Sequence, residues 1–204
     1  MRALLYKDCY MILKYNGFFL LAALLFTAVA GIGTQTMFFA VYPPVVMAAL
    51  GYSSLAYDER SGWLRYADAL PYGRKRIVAS KYLLSLLCCL ATMLLLMISM
   101  SAFRLARGQF DLRQLGIVAL VVLLACTAYI SILLPISFFF GTEKGRLIYI
   151  FLTVLFCCGG YSIPMPQITL PMKWWLFPMV PIGAAVIWWG SYRLAVKLYQ
   201  KRKL

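Results

Sequence analysis

Residues 114–142 read QLGIVALVVLLACTAYISILLPISFFFGT, 29 consecutive residues without a charge between Arg113 and Glu143. A helix of about 20 residues, rising about 1.5 Å per residue, crosses the roughly 30 Å of hydrocarbon in a bilayer. This run therefore predicts one membrane-spanning helix, with every backbone group satisfied internally as lipid demands. Outward from it, other charge-free intervals hold 43 residues (Lys14 to Asp58), 22 (Lys81 to Arg104), 26 (Arg146 to Lys173) and 19 (Lys173 to Arg193). The 43-residue interval has room for two spans around a polar turn at Gly31-Ile32-Gly33-Thr34-Gln35. Six spans are expected, at about 17–33, 37–57, 79–103, 115–140, 147–162 and 174–194. Composition agrees: the 204-residue chain is 64% hydrophobic and 13% charged, with a mean hydropathy of +0.84. A soluble domain carries about 25% charged residues, and a chain of this size cannot bury so much apolar surface in a core, so the remainder must face lipid. The expected class is an all-α polytopic membrane protein with residues 1–204 as a single transmembrane domain.

Ahead of the first span, residues 1–16 place Leu4, Leu5, Cys9, Ile12 and Leu13 near one helical face and Arg2, Lys7, Asp8 and Lys14 elsewhere. That pattern reads as an amphipathic helix on the membrane surface, or else as a polar start to the first span. The first span sits behind a 16-residue preamble and no small-residue cleavage motif ends its apolar run at the usual length, so a cleaved signal peptide is not expected. Six spans put both termini on one side. With that side cytoplasmic, 16 of the 20 basic residues lie inside, and only Arg104, Arg107, Arg113 and Lys173 lie outside. This is the positive-inside pattern. The net charge of +14 is thus a topology signature, and no nucleic-acid partner is inferred from it.

Several chemistries are absent. There is no histidine, which removes Ser-His-Asp triads, HExxH zinc sites and histidine proton relays. The six cysteines include no C-x-x-C, and Cys88-Cys89 and Cys157-Cys158 read as small hydrophobes within helices. The spans are expected to carry no Asp, Glu, Lys or Arg in their interiors, which disfavours a carboxylate-driven carrier. The glycine-rich Gly141-Thr142-Glu143-Lys144-Gly145-Arg146 fails the P-loop spacing and reads as a short cytoplasmic turn. Neither metal nor cofactor is expected, and ATP hydrolysis, if used, belongs to another chain. Prolines 43, 44, 135, 178 and 181 lie within spans, where each frees a carbonyl and can kink a helix. Thr27 and Gly31 are small residues at four-residue spacing, which permits close helix contact.

The most distinctive stretch is 58–82, DERSGWLRYADALPYGRKRIVASKY. Trp63, Leu64, Ala67 and Leu70 share a helical face, so Ser61 to Leu70 predicts a short amphipathic helix with Ser61 as N-cap. Pro71-Tyr72-Gly73 would end it. Two readings stay open on physical grounds: a docking element for a partner protein, or an interfacial helix with its basic cluster on anionic lipid.

Asp58-Glu59, Gly62-Trp63, Tyr66 and Leu70-Pro71-x-x-Arg74-x-x-Ile77-Val78-x-x-Lys81-Tyr82, with Lys7-Asp8 upstream, resemble the ABC-2 type permease family. The likeness is to small six-helix half-transporters such as the permeases of phenol-soluble modulin exporters. The resemblance implies an ABC-2 (type V exporter-like) transmembrane domain in a bacterial cell membrane, non-catalytic itself. It also implies pairing with a second permease chain, as homodimer or heterodimer, and docking on a separate ABC ATPase subunit. The implied ATPase-coupling segment is 58–78, and the implied coupling residues are Asp58, Glu59, Trp63, Tyr66, Leu70, Pro71, Arg74, Lys81 and Glu143. The amino-terminal helix would be the membrane-surface connecting helix, and 162–173 an extracellular capping element.

A pathway at the dimer interface, between the second and fifth spans, would be lined by Phe39, Tyr42, Met47, Tyr52 and Phe156, which could equally face lipid. Phe38, Tyr149 and Phe151 belong to the same set. Such a lining predicts an amphipathic or lipophilic cargo: a peptide, antibiotic or lipid. The rivals are a substrate-binding membrane component of an energy-coupling-factor importer and a non-transporting assembly factor. The A-x-x-x-A docking motif of the importer component does not occur in residues 17–33.

Overall fold

The computed structural model describes residues 2–33, 37–68, 73–108, 111–162 and 179–201. Among them are nine helical segments: α1 (Arg2–Tyr15), α2 (Gly17–Gly33), α3 (Phe38–Ala48), α4 (Leu50–Arg60), α5 (Trp63–Asp68), α6 (Gly73–Ala106), α7 (Leu112–Phe140), α8 (Thr142–Ser162) and α9 (Met179–Lys201). No strand occurs among the described residues. Five helical units are long and apolar enough to cross a membrane: the α3–α4 pair (Phe38–Arg60), α6, α7, α8 and α9. A sixth results if α1 and α2 are joined, but these are bent by 78°. At 17 residues α2 sits at the lower edge of the spanning range. The sixth-span start at 174–178, the capping segment 163–173, the turn residues Thr34 and Gln35, and Leu70 and Pro71 lie outside the described residues.

The α1–α2 bend is at Asn16, whose N–H donates to Ile12 O while its carbonyl accepts from Phe19 and Leu20. The face of α1 turned to the bundle is Leu4, Asp8 and Ile12, all buried, while Leu13 is 68% exposed and Cys9 exposed. Asp8 belongs to the buried face rather than the polar one, because a lysine from α6 meets it there.

The pair α3–α4 is the centre of the bundle. α3 packs on α2, α6, α7 and α8, and 78% of the pair's most apolar stretch is buried, against 17% for α8 and 11% for α9. Thr27 and Gly31 meet α6: Ser99 Oγ donates to Thr27 O at 3.0 Å, and a Cβ on Gly31 would stand 2.6 Å from Phe103. Pro135, in α7, removes the N–H that would bond Ser131 O. Ser191 Oγ from α9 donates to that carbonyl at 2.9 Å, so Tyr82 OH from α6, 2.8 Å from Ser191 Oγ, is left as the donor to it. The freed carbonyl thus becomes a junction of three helices.

The turn expected over 141–146 is much shorter. Only Gly141 separates α7 from α8, and its φ of 85° is one that a side chain would resist. Thr142 already begins α8, so the fifth span starts about five residues earlier than its charges suggest. α6 likewise begins at Gly73, before the expected 79. Its 34 residues exceed one bilayer crossing.

Candidate coupling site

The middles of the spans carry no charge, but their ends do not conform to the expectation of charge-free interiors. Lys81, in the third turn of α6, is 1% exposed, as are Asp8 of α1 and Asp58 of α4. Lys81 Nζ donates to Asp8 Oδ1 (2.8 Å), Ser54 Oγ (2.8 Å) and Asp58 Oδ2 (2.5 Å). Those are the three donors an ammonium owns. Ser54 Oγ donates onward to Asp8 Oδ1 at 3.0 Å. On the outer side Lys7 Nζ reaches Asp58 Oδ1 at 2.6 Å and Asp8 Oδ1 at 3.4 Å. Two carboxylates face two ammoniums, so the cluster is neutral. Buried charges need this kind of full pairing, because desolvation costs several kcal/mol per ion. The cluster ties α1, α4 and α6 into one body at one end of the spans.

α5 hangs from that body. Lys7 Nζ lies 3.6 Å from the centre of the Trp63 ring, a cation–π contact. Leu64 and Ala67 are each 2% exposed and join the main apolar core. The apolar stripe expected to await a partner is therefore turned inward, since the bundle itself offers an apolar surface to cover it. Tyr66 points outward and is 64% exposed.

A second tie joins α4 to α8. Glu59 Oε2 accepts from Thr142 N at 2.7 Å, placing a carboxylate at the positive end of α8 and satisfying one of its orphan N–H groups. Tyr52 OH donates to Thr142 O at 2.8 Å, and its ring stacks on Tyr149 with centroids 5.3 Å apart. Arg74, at the start of α6, donates to the terminal carbonyls Tyr199 O and Gln200 O of α9, where a cation suits the negative helix end.

Of the expected coupling residues, Asp58 and Lys81 thus form the buried ionic core, Glu59 and Arg74 hold helix ends, Trp63 is half-buried under Lys7, and Tyr66 and Glu143 are exposed. Of the expected pathway residues, Phe39, Tyr42 and Phe156 are half-buried and Met47 and Tyr52 buried. Phe39 and Tyr42 cluster with Phe26 and Phe38, Phe156 meets Tyr129 edge-on, and Met47 is buried with Ile12, Ala23, Leu50 and Leu84. Asp8 and Ser54 were not among the expected site residues. The Lys7-Asp8 pair was the available signal, and Ser54 had none.

The whole chain bears on what this assembly belongs to. Residues 3–200 match the family described as ABC-2 family transporter protein. The chain belongs to the ABC-2 transporter family. No curated protein and no solved structure matches it. As an ABC-2 protein it is a multi-pass membrane protein and an ABC transporter permease, of a kind that works with ABC ATPase subunits.

Proposed function

We propose that this chain is the membrane half of a bacterial exporter, pairing with a second permease chain and driven by a separate ABC ATPase docked beneath α5. The cargo is amphipathic or lipophilic, and the subunit itself does not hydrolyse ATP. The observation that carries this reading is the mounting of α5: its inner face is packed on the bundle and braced by Lys7, while Tyr66 projects outward. A short helix held this firmly transmits a push to α1, α4 and α6 together. The contact to the ATPase is made by the outer face, with Tyr66 as anchor, and Asp58 and Lys81 act as positioning residues behind it.

Tyr66→Asp tests this reading. The exposed position tolerates the change in folding, but a charge in the docking cleft removes an aromatic anchor, a residue type that often carries over 2 kcal/mol in interfaces. The variant should reach the membrane at normal yield, keep its thermal midpoint, and lose at least ten-fold in co-purification with its ATPase. Retention of wild-type co-purification and export would overturn α5 as the docking element.

Orientation is tested separately on a cysteine-free background. Lys75→Cys, exposed at the start of α6, should be shielded from a membrane-impermeant thiol reagent in intact cells, whereas Arg107→Cys, exposed beyond the other end, should react. The reverse pattern would place the termini outside and remove the docking reading with them.

A further inference from the structure

A cleft of about 480 Å³ opens between the α1–α2 bend, α4 and the first turns of α8. Ligand pockets commonly occupy about 300–1,000 Å³. Its walls combine four aromatic rings, Phe19, Tyr52, Tyr57 and Tyr149, with two guanidinium groups, Arg60 and Arg146. Among the described residues neither arginine is in an ion pair. Two carboxylates stand nearby without an ion pair to either arginine: Glu59 accepts from Thr142 N at the start of α8, and Glu143, also on the wall, makes no ion pair among the described residues. Asn16 lines the same cleft at the bend and is 4% exposed. Its Nδ2 is buried with no hydrogen-bond partner among the described residues, although buried amides are almost always satisfied. Two guanidiniums without an ion pair among the described residues thus stand beside stacked aromatic rings.

We infer that this cleft binds the anionic head of an amphiphile, a carboxylate or phosphate, held by Arg60 and Arg146, with the first part of its apolar body against Tyr52, Tyr57 and Tyr149. Guanidinium forks suit both anions bidentately. The aromatic walls take an apolar chain but offer no second charge. The inference rests on the permease reading, and where the occupant is cargo it narrows the cargo to molecules with a negative end. The head group could be supplied by cargo in the cytoplasm or by an anionic lipid of the adjoining leaflet, since both present the same chemistry.

The experiment uses the purified permease alone in nanodiscs of neutral lipid. A fluorescent dodecanoate and a matched dodecyl-trimethylammonium probe are titrated in. The anionic probe should bind at least ten-fold more tightly than the cationic one. Arg60→Gln with Arg146→Gln should abolish that preference without moving the thermal midpoint, because both side chains are exposed. Glu143→Gln should strengthen anionic binding. Repeating the titration in nanodiscs containing phosphatidylglycerol identifies the source: displacement of the probe marks a lipid-occupied site, persistence marks a site filled from water, and both uphold it. Equal affinity for the two probes, or a preference unchanged in the double variant, overturns the inference. Because binding is read without the ATPase, failure of the transport reading shows differently: the probe binds, yet leaves ATP hydrolysis by the assembled complex unaltered.

Discussion

Lys81→Met will destabilise the bundle by about 3–5 kcal/mol, the cost of leaving a buried charge without its partner. The substitution roughly conserves volume, so the loss reports electrostatics rather than a cavity. In its absence Asp8 and Asp58 share only Lys7, which reaches Asp58 at 2.6 Å but Asp8 at 3.4 Å. Asp8 Oδ2 already lacks a hydrogen-bond partner among the described residues, so Asp8 bears most of the deficit. Thermal unfolding in detergent should show a large drop in midpoint, with α1 the first element to lose protection from hydrogen exchange. The companion variant isolates the cause. Adding Asp8→Leu restores neutrality, leaving the Lys7–Asp58 pair, and should recover more than half of the lost stability. Non-additivity of that size is the signature of directly coupled groups. A Lys81→Met protein within 1 kcal/mol of wild type would mean the cluster is hydrated and contributes little.

Gly51→Val will be the other severe substitution. A Cβ at Gly51 would stand 2.9 Å from the Lys81 backbone carbonyl and would overlap the Ser85 hydroxyl. The hydroxyl can rotate away, but the carbonyl is part of α6 and cannot. Valine therefore forces α4 and α6 apart, and overpacking of this kind costs about 1–3 kcal/mol. The spreading acts next to Lys81 itself, so it also lengthens the bonds of the ionic cluster. Gly159→Ala serves as control, because nothing lies within 4 Å of that position and alanine favours a helix by about 1 kcal/mol over glycine. Equal thermal midpoints for the two variants would show that α4 and α6 can separate without consequence.

These two sites also mark where the sequence was legible. The spans followed from charge-free intervals, because lipid excludes charge along a whole helix and the signal is therefore continuous. Family membership followed from the residues around 58–82. The ionic cluster was not legible in the same way. Asp8, Asp58 and Lys81 each lie beside the end of an apolar run, where a lone charge ordinarily reaches the headgroups. Only the partner, 73 residues away between Asp8 and Lys81, turns such a charge inward. The face of α5 failed for a similar reason. Its stripe of Trp63, Leu64 and Ala67 correctly indicated an apolar contact, but periodicity does not say whether the surface covered belongs to another protein or to the same chain. The length of the α7–α8 turn misled because Glu143, Lys144 and Arg146 read as loop, whereas Gly141 alone reverses the chain and the charges occupy exposed positions on the first turn of α8.

The unequal burial of the spans has a mechanical meaning. α3–α4 is enclosed by protein along most of its length, while α8 and α9 border chiefly on whatever surrounds the bundle. A membrane is a fluid and yields to a moving helix, but packed side chains do not. A displacement started at the lower end of α4 cannot dissipate in the bilayer before it reaches α2, α6, α7 and α8. Conversely, α8 meets lipid over most of its surface, while its inner face packs on α3 and α7 and its first turn is held by Glu59 and Tyr52. A displacement of the central pair is therefore passed on to protein, whereas a displacement of an outer helix is taken up in large part by lipid.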